Sequence, residues 1–190
     1  MNNEIIYFEK PGKINTRKTL NLALKRADEL NVEHIVIATC TGYSAKMLLN
    51  MTKNKKIVVV THQAGFVKPG IMEIKPEMVE YLKKNGTKIY TGTHFFGGFG
   101  RAIRLKFGGL EPEEIAANTL RIFGEGIKVA VEIAVMALDA GLIPYGREII
   151  SIGGTGSGVD TAIVCLPRHG KDFFNFEVHE IICKPRLRYK

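Results

Sequence analysis

The sequence predicts an α/β fold: a three-layer α/β/α sandwich around a mostly parallel sheet, with an antiparallel strand at its edge. Three observations carry this reading. Short apolar, β-branched runs alternate with helix-periodic stretches, the pattern of strands joined by crossover helices. Residues 35–61 hold one whole unit, a buried strand, a turn, a helix and a second buried strand. The last strand-like runs follow one another without a helix, so one of them must run antiparallel. At 190 residues, 45% apolar and 24% charged, the chain has the size and composition of one globular domain, spanning 1–190.

Each element has a local reason. Residues 4–8 form a short apolar run. A helix is expected from Thr16 to Leu30, with Leu20, Ala23, Leu24, Ala27 and Leu30 on one face and Asn15 as its cap. Residues 34–39 and 56–61 read as buried strands. Pro76 opens a helix with Met78, Val79 and Leu82 inward, and Asn85-Gly86 closes it. Thr87 to Thr91 is a further strand, and Phe95 to Gly109 (FFGGFGRAIRLKFGG) shows no clean period. Pro112 to Leu142 is helical with a break near Gly124-Glu125-Gly126, and strands at 147–152, 161–166 and 176–183 follow. Glu132 lies among apolar neighbours and is expected to pair with Lys128, four positions earlier.

The chemistry gathers at strand ends. The turn Thr39-Cys40-Thr41-Gly42-Tyr43-Ser44-Ala45 follows a buried strand and opens a helix. Ligands of open α/β sheets sit beyond the carboxyl ends of the strands, and a helix N-terminus there offers unpaired N–H groups to an anion. Thr39, Thr41 and Ser44 add hydroxyls, and Gly42 is expected to let a ligand approach the backbone. The plainer alternative is that Ser44 only caps the helix. Two more strand ends carry similar residues: Thr61-His62, and Thr91-Gly92-Thr93-His94. Parallel strands would bring all three turns to one crevice. No acidic residue accompanies His62 or His94 at ligand spacing, so no metal is expected. The 95–109 segment reads as an aromatic lid or as a contact in a homo-oligomer.

Composition excludes several classes. No apolar run reaches membrane-spanning length, and the acidic N-terminus lacks the layout of a signal peptide. Cys40, Cys165 and Cys183 are few and widely spaced, which fits reduced thiols and a cytoplasmic protein. The net charge of +8 is spread out, apart from Lys53-Lys55-Lys56 and the tail from Lys184 to Lys190. No nucleic-acid recognition motif accompanies it, so the charge is read as favouring anionic small molecules rather than nucleic acid.

The order Thr-x-Thr-Gly-x-Ser-Ala between two buried strands resembles the effector loop of the pyruvate kinase C-terminal domain. That loop holds a sugar phosphate. The stretch REIISIGGTGSGVDTAIVCL at 147–166 is similar to the strand, Gly-Ser-Gly loop and strand that end the domain and close over its effector. Gly156-Ser157-Gly158 match the loop and Thr161 fills the place of its threonine. Tyr43 stands where that family has Arg, which removes a bidentate phosphate ligand. The catalytic barrel of pyruvate kinase needs a much longer chain, so a complete pyruvate kinase is not expected. GLIPYG at 141–146, IGGTGSGVDTA and the closing HEIICKPRLR resemble stand-alone, mostly archaeal proteins of this domain type. Members of that group resemble flavin mononucleotide binders. The resemblance implies a bound phosphorylated small molecule, with flavin mononucleotide (FMN) first, as a cofactor-binding protein or a flavin-dependent oxidoreductase. The residues expected to hold it are Thr39, Thr41, Gly42, Tyr43, Ser44, Ala45, Thr61, His62, Thr91, Gly92, Thr93, His94, Gly154, Thr155 and Gly156.

Overall fold

A computed structural model describes residues 4–187. The last three residues of the basic tail, Arg188 to Lys190, and the first three of the N-terminal segment lie outside them. Strands β1 (Ile6–Phe8), β2 (His34–Ala38), β3 (Lys56–Thr61), β4 (Lys88–Thr91), β5 (Ile149–Gly153), β6 (Thr161–Leu166) and β7 (Glu177–Pro185) form one sheet. Its order is β1-β7-β6-β5-β2-β3-β4. Helices α1 (Thr16–Glu29), α2 (Tyr43–Met51), α3 (Pro76–Lys84), α5 (Pro112–Arg121) and α6 (Glu125–Asp139) cover its faces, and α4 (Phe99–Phe107) lies outside them against α5.

Strand residues alternate between two cores because successive side chains point to opposite faces. Ile35, Ile37, Ile57, Val59, Ile150 and Ile152 meet α1, α2 and α3 through Leu20, Leu24, Leu48 and Leu82. On the other face, Val36, Val58, Val60, Ile149 and Ile163 meet α5 and α6 through Ala117, Val131, Ala134 and Leu138. Both faces are therefore buried. The central strands consequently read as unbroken apolar runs rather than as an apolar/polar alternation.

The antiparallel strand is interior, not at the edge. β6 runs antiparallel to both β5 and β7, while the edge strands β1 and β4 are parallel to their neighbours. The reason is that β1 pairs with β7 and extends the sheet beyond the terminal hairpins. Nothing local in a three-residue strand announces a partner about 175 positions away, the register here being Ile6 opposite Cys183.

Two local expectations change as well, and a third holds. The Asn15 side chain does not cap α1; its Nδ2 donates to the Lys10 carbonyl at 2.6 Å, and a single 3-10 turn, Lys13–Asn15, precedes the helix. The 95–109 segment contains α4, a nine-residue helix whose glycine-rich flanks hide its period in the sequence. The break in the 112–142 stretch falls at Gly124, whose φ of 132° is a backbone state that favours glycine.

Candidate functional site

The sheet sets the site by its order. β2 lies between β3, reached through α2 on one face, and β5, reached through α6 on the other. β2 and β5 are parallel neighbours, so the loops leaving them share the carboxyl end of the sheet and border a crevice there, the usual ligand position in such sheets. A cleft of about 600 Å³ occupies it, lined by Lys13, Thr39 to Thr41, Tyr43, Ser44 and the glycine loop, among others. A smaller recess of about 190 Å³ adjoins it and shares Ala38, Thr39, Cys40, His62 and Val129.

The mouth of the cleft is the start of α2. Gly42 caps the helix with φ 91°, and its N–H donates to Thr39 Oγ1 at 3.0 Å. The first helical bond of α2 runs from Lys46 N to Gly42 O, so the N–H groups of Tyr43, Ser44 and Ala45 have no partner among the described residues. Ser44 Oγ donates to Ala38 O at 2.8 Å and the residue is buried, so its proton ties the helix to the strand end instead of facing the cleft. A Cβ on Gly42 would run into the Met78 side chain of α3. That glycine is required by helix packing and by the left-handed turn.

Positive charge arrives from elsewhere in the sequence. Lys13 Nζ sits 4.3 Å from the centroid of the Tyr43 ring, a cation–π contact at the cleft wall. Lys13 is held by a buried acid: Gly12 N donates to Asp160 Oδ2 at 2.7 Å, and Thr161 Oγ1 donates to Asp160 Oδ1 at 2.9 Å. Val159 N adds a bond to Thr16 Oγ1 at 3.2 Å. The glycine loop and the turn before α1 are thereby fastened together. Gly158 needs its missing Cβ there, because Lys13 Cα would lie 2.7 Å from one.

The recess is aromatic and titratable. His62 packs on Phe66 with ring centroids 4.2 Å apart, and His94 lies 5.3 Å from His62 and 5.0 Å from Phe66. Burial pulls the His94 imidazole down to about 4, so it is neutral at physiological pH. Deeper in, Lys128 Nζ and Glu132 Oε2 pair at 2.5 Å, the expected partnership, and Phe96 N donates to Glu132 Oε1 at 3.0 Å. Burial pushes the Lys128 ammonium down from its ordinary range, and the facing carboxylate opposes that.

An acidic partner for His62, which the local spacing did not offer, comes from the loop after β3. His62 Nδ1 lies 2.6 Å from Glu73 Oε2 and His62 Nε2 lies 3.5 Å from Cys40 Sγ. The three side chains bring ligand-type atoms within 4.8 Å of one another. The neighbouring Ile74, 3% exposed, fixes this loop in the α1–α3 core.

Of the expected residues, Thr41, Tyr43, Ser44, Gly154 and Gly156 line the cleft, Thr61 and His94 line the recess, and Thr39 and His62 line both. Ala45 is wholly buried in the core under α2. Thr91, Gly92 and Thr93 line neither space. Thr91 Oγ1 is 2.6 Å from Thr61 Oγ1, Gly92 lies under the Tyr90 ring and Thr93 is exposed. Thr155 faces a separate pocket with Gly124 and Lys184. Sequence reasoning missed Lys13, Cys40 and Glu73. Cys40 lay inside the recognised turn and carried a signal; Lys13 and Glu73 are surface-type residues in loops and carried none.

A pyruvate kinase from Cryptosporidium parvum matches 82% of this chain at 20% identity with a TM-score of 0.42. A Cryptosporidium parvum pyruvate kinase in complex with ADP matches 91% of it at 18% identity and the same TM-score, 0.42. The chain spans 23% and 25% of the length of those two proteins. The family model described as pyruvate kinase, alpha/beta domain, matches residues 17–165. Those residues run from α1 through β6 and include the α2 turn and the glycine loop, and on that match the chain belongs to the pyruvate kinase alpha/beta domain family.

Proposed function

We propose that this protein binds a phosphorylated small molecule in the cleft beyond β2 and β5, and that FMN is the ligand to test first. One observation carries the reading: the start of α2, where three consecutive N–H groups have no partner among the described residues, borders a cleft that also holds Lys13. Such an end favours an anion by both its donors and its dipole. The adjoining recess supplies what a flat ring needs, the His62, Phe66 and His94 rings and the apolar Val129, Ile133 and Met136 side chains. Lys13 over Tyr43 offers the charge that Arg gives at this position in the resembling loop, without its planar fork. A bound flavin would supply hydride or one-electron chemistry of its own, the basis of the oxidoreductase alternative. Three unpaired thiols support a cytoplasmic setting.

Calorimetry tests this with FMN, riboflavin and a sugar bisphosphate. FMN is expected to bind, and riboflavin, which lacks the phosphate, to bind at least about tenfold more weakly. Lys13→Ala removes a charged contact worth about 1.5–3 kcal/mol, roughly tenfold to a hundredfold in affinity. Affinity should change little with salt, whereas phosphate-backbone binding to nucleic acid falls steeply. No heat with any of the three ligands, or nucleic-acid binding that collapses with salt, sinks the reading. Bleaching of a bound flavin by a nicotinamide cofactor would favour the oxidoreductase over the cofactor-binding protein.

A further inference from the structure

We propose that Cys40, His62 and Glu73 form a nucleophile, its base and an orienting carboxylate, and that the protein carries out acyl transfer from small esters or thioesters through Cys40. The arrangement is linear. Glu73 Oε2 takes the Nδ1–H of His62 at 2.6 Å, which leaves Nε2 as the acceptor facing Cys40 Sγ at 3.5 Å. This is the relation required of a nucleophile, a base within reach and a third group that fixes the tautomer. Cys40 and His62 stand where the cleft and the recess meet, so a carbonyl entering either space can reach the sulfur.

The surroundings suit the role. Phe66 and His94 pack around the His62 ring and fix its plane. The Cys40 thiol is pushed up by burial and by the charge of Glu73, which keeps it protonated at rest and dependent on a base. Cys40 also lies two residues before Gly42, the cap of α2, whose N-terminus favours negative charge on an attacked oxygen. The other two thiols, Cys165 and Cys183, are wholly buried and are not rivals.

The chemistry balances within these groups. As Sγ bonds to the carbonyl carbon, its proton passes to His62 Nε2, and Glu73 stabilises the imidazolium. That proton then goes to the departing alkoxide or thiolate, leaving a thioester on Cys40. A water gives a proton to the same Nε2 while its oxygen attacks the thioester carbon. The acid leaves, and the proton returns to Sγ. A metal ion is the competing use of the three side chains. Against it, His62 turns opposite nitrogens toward Cys40 and Glu73, whereas a single ion binds only one nitrogen of a histidine.

The test uses p-nitrophenyl acetate and the full chain, without phosphate ligand, so its result is separate from that of the FMN titration. A burst of p-nitrophenolate is expected, with one acetyl group on the Cys40 peptide by mass spectrometry and none on Cys165 or Cys183. Cys40→Ala should abolish the burst. Removing a general base costs about a hundredfold to ten-thousandfold, so His62→Ala should slow acetylation by at least a hundredfold. Added imidazole should restore part of that rate, which a merely structural role for His62 would not allow. Acetyl found only on lysines, a His62→Ala rate equal to the parent's, or stoichiometric zinc lost with Cys40→Ala would each overturn the proposal.

Discussion

His94 shows how one side chain reports the character of the recess. Burial favours its neutral imidazole and pulls it down to about 4, although the Glu132 charge opposes that. The unfolded chain takes up the same proton at about 6.5. Above that pH both states are neutral and the contribution to stability is complete; as pH falls from there toward 4 it is lost. Denaturant titrations at pH 7 and pH 4.5 should therefore show the parent losing more stability than His94→Gln. Equal losses in the two proteins would mean that His94 is hydrated and not enclosed. Residues also differ in what the sequence could say of them. Ser44 and Gly42 are recognisable in the sequence as turn residues, but their tertiary partners are not. Their donors and missing Cβ serve Ala38 and Met78, which come from other elements.

At the scale of elements, close contacts between backbones decide where the cleft can form. α6 crosses β5 at Gly126 and Gly153, and a Cβ on Gly153 would lie against the Gly126 carbonyl oxygen and 2.8 Å from Ala130 N. Backbone cannot give way as a side chain does. Gly153→Ala should push α6 off the sheet and destabilise the fold by about 3 kcal/mol or more. Gly42→Ala meets only the flexible Met78 side chain and a left-handed φ, so about 1–2 kcal/mol is expected. Chemical denaturation of both variants checks the order; a milder effect at Gly153 would contradict the helix–strand contact. The elements themselves were largely legible, since periodicity and turn residues act within a few positions. α4 was not, because glycines at 97, 98, 100, 108 and 109 mask a nine-residue helix.

At the scale of the molecule, α4 leaves a surface unlike the rest. Phe99, Leu105 and Phe107 are 81%, 72% and 75% exposed, and Ile122 and Phe123 after α5 are exposed as well. Large exposed apolar patches mark contact surfaces, and we propose that a second copy of the chain covers this one. Light scattering across a concentration series should show a dimer or larger, and Phe107→Asp should shift it toward monomer. A monomer at every concentration would return the segment to the lid reading. No helix among the described residues is long and apolar enough to cross a membrane.

By itself the sequence determined the layers of the fold and the end of the sheet that carries the site. Alternating strand and helix patterns, and polar turns after Ala38, Thr61 and Thr91, are local signals. They are written within the few residues that each element spans. Only the tertiary structure decided that β6 lies inside the sheet, that Lys13 faces Tyr43, and that Glu73 meets His62 beside Cys40. Those facts depend on pairing between segments separated by tens of residues. Such pairing is fixed by the burial of both sheet faces and by the Asp160 and Ile74 tethers, which no single stretch of chain contains.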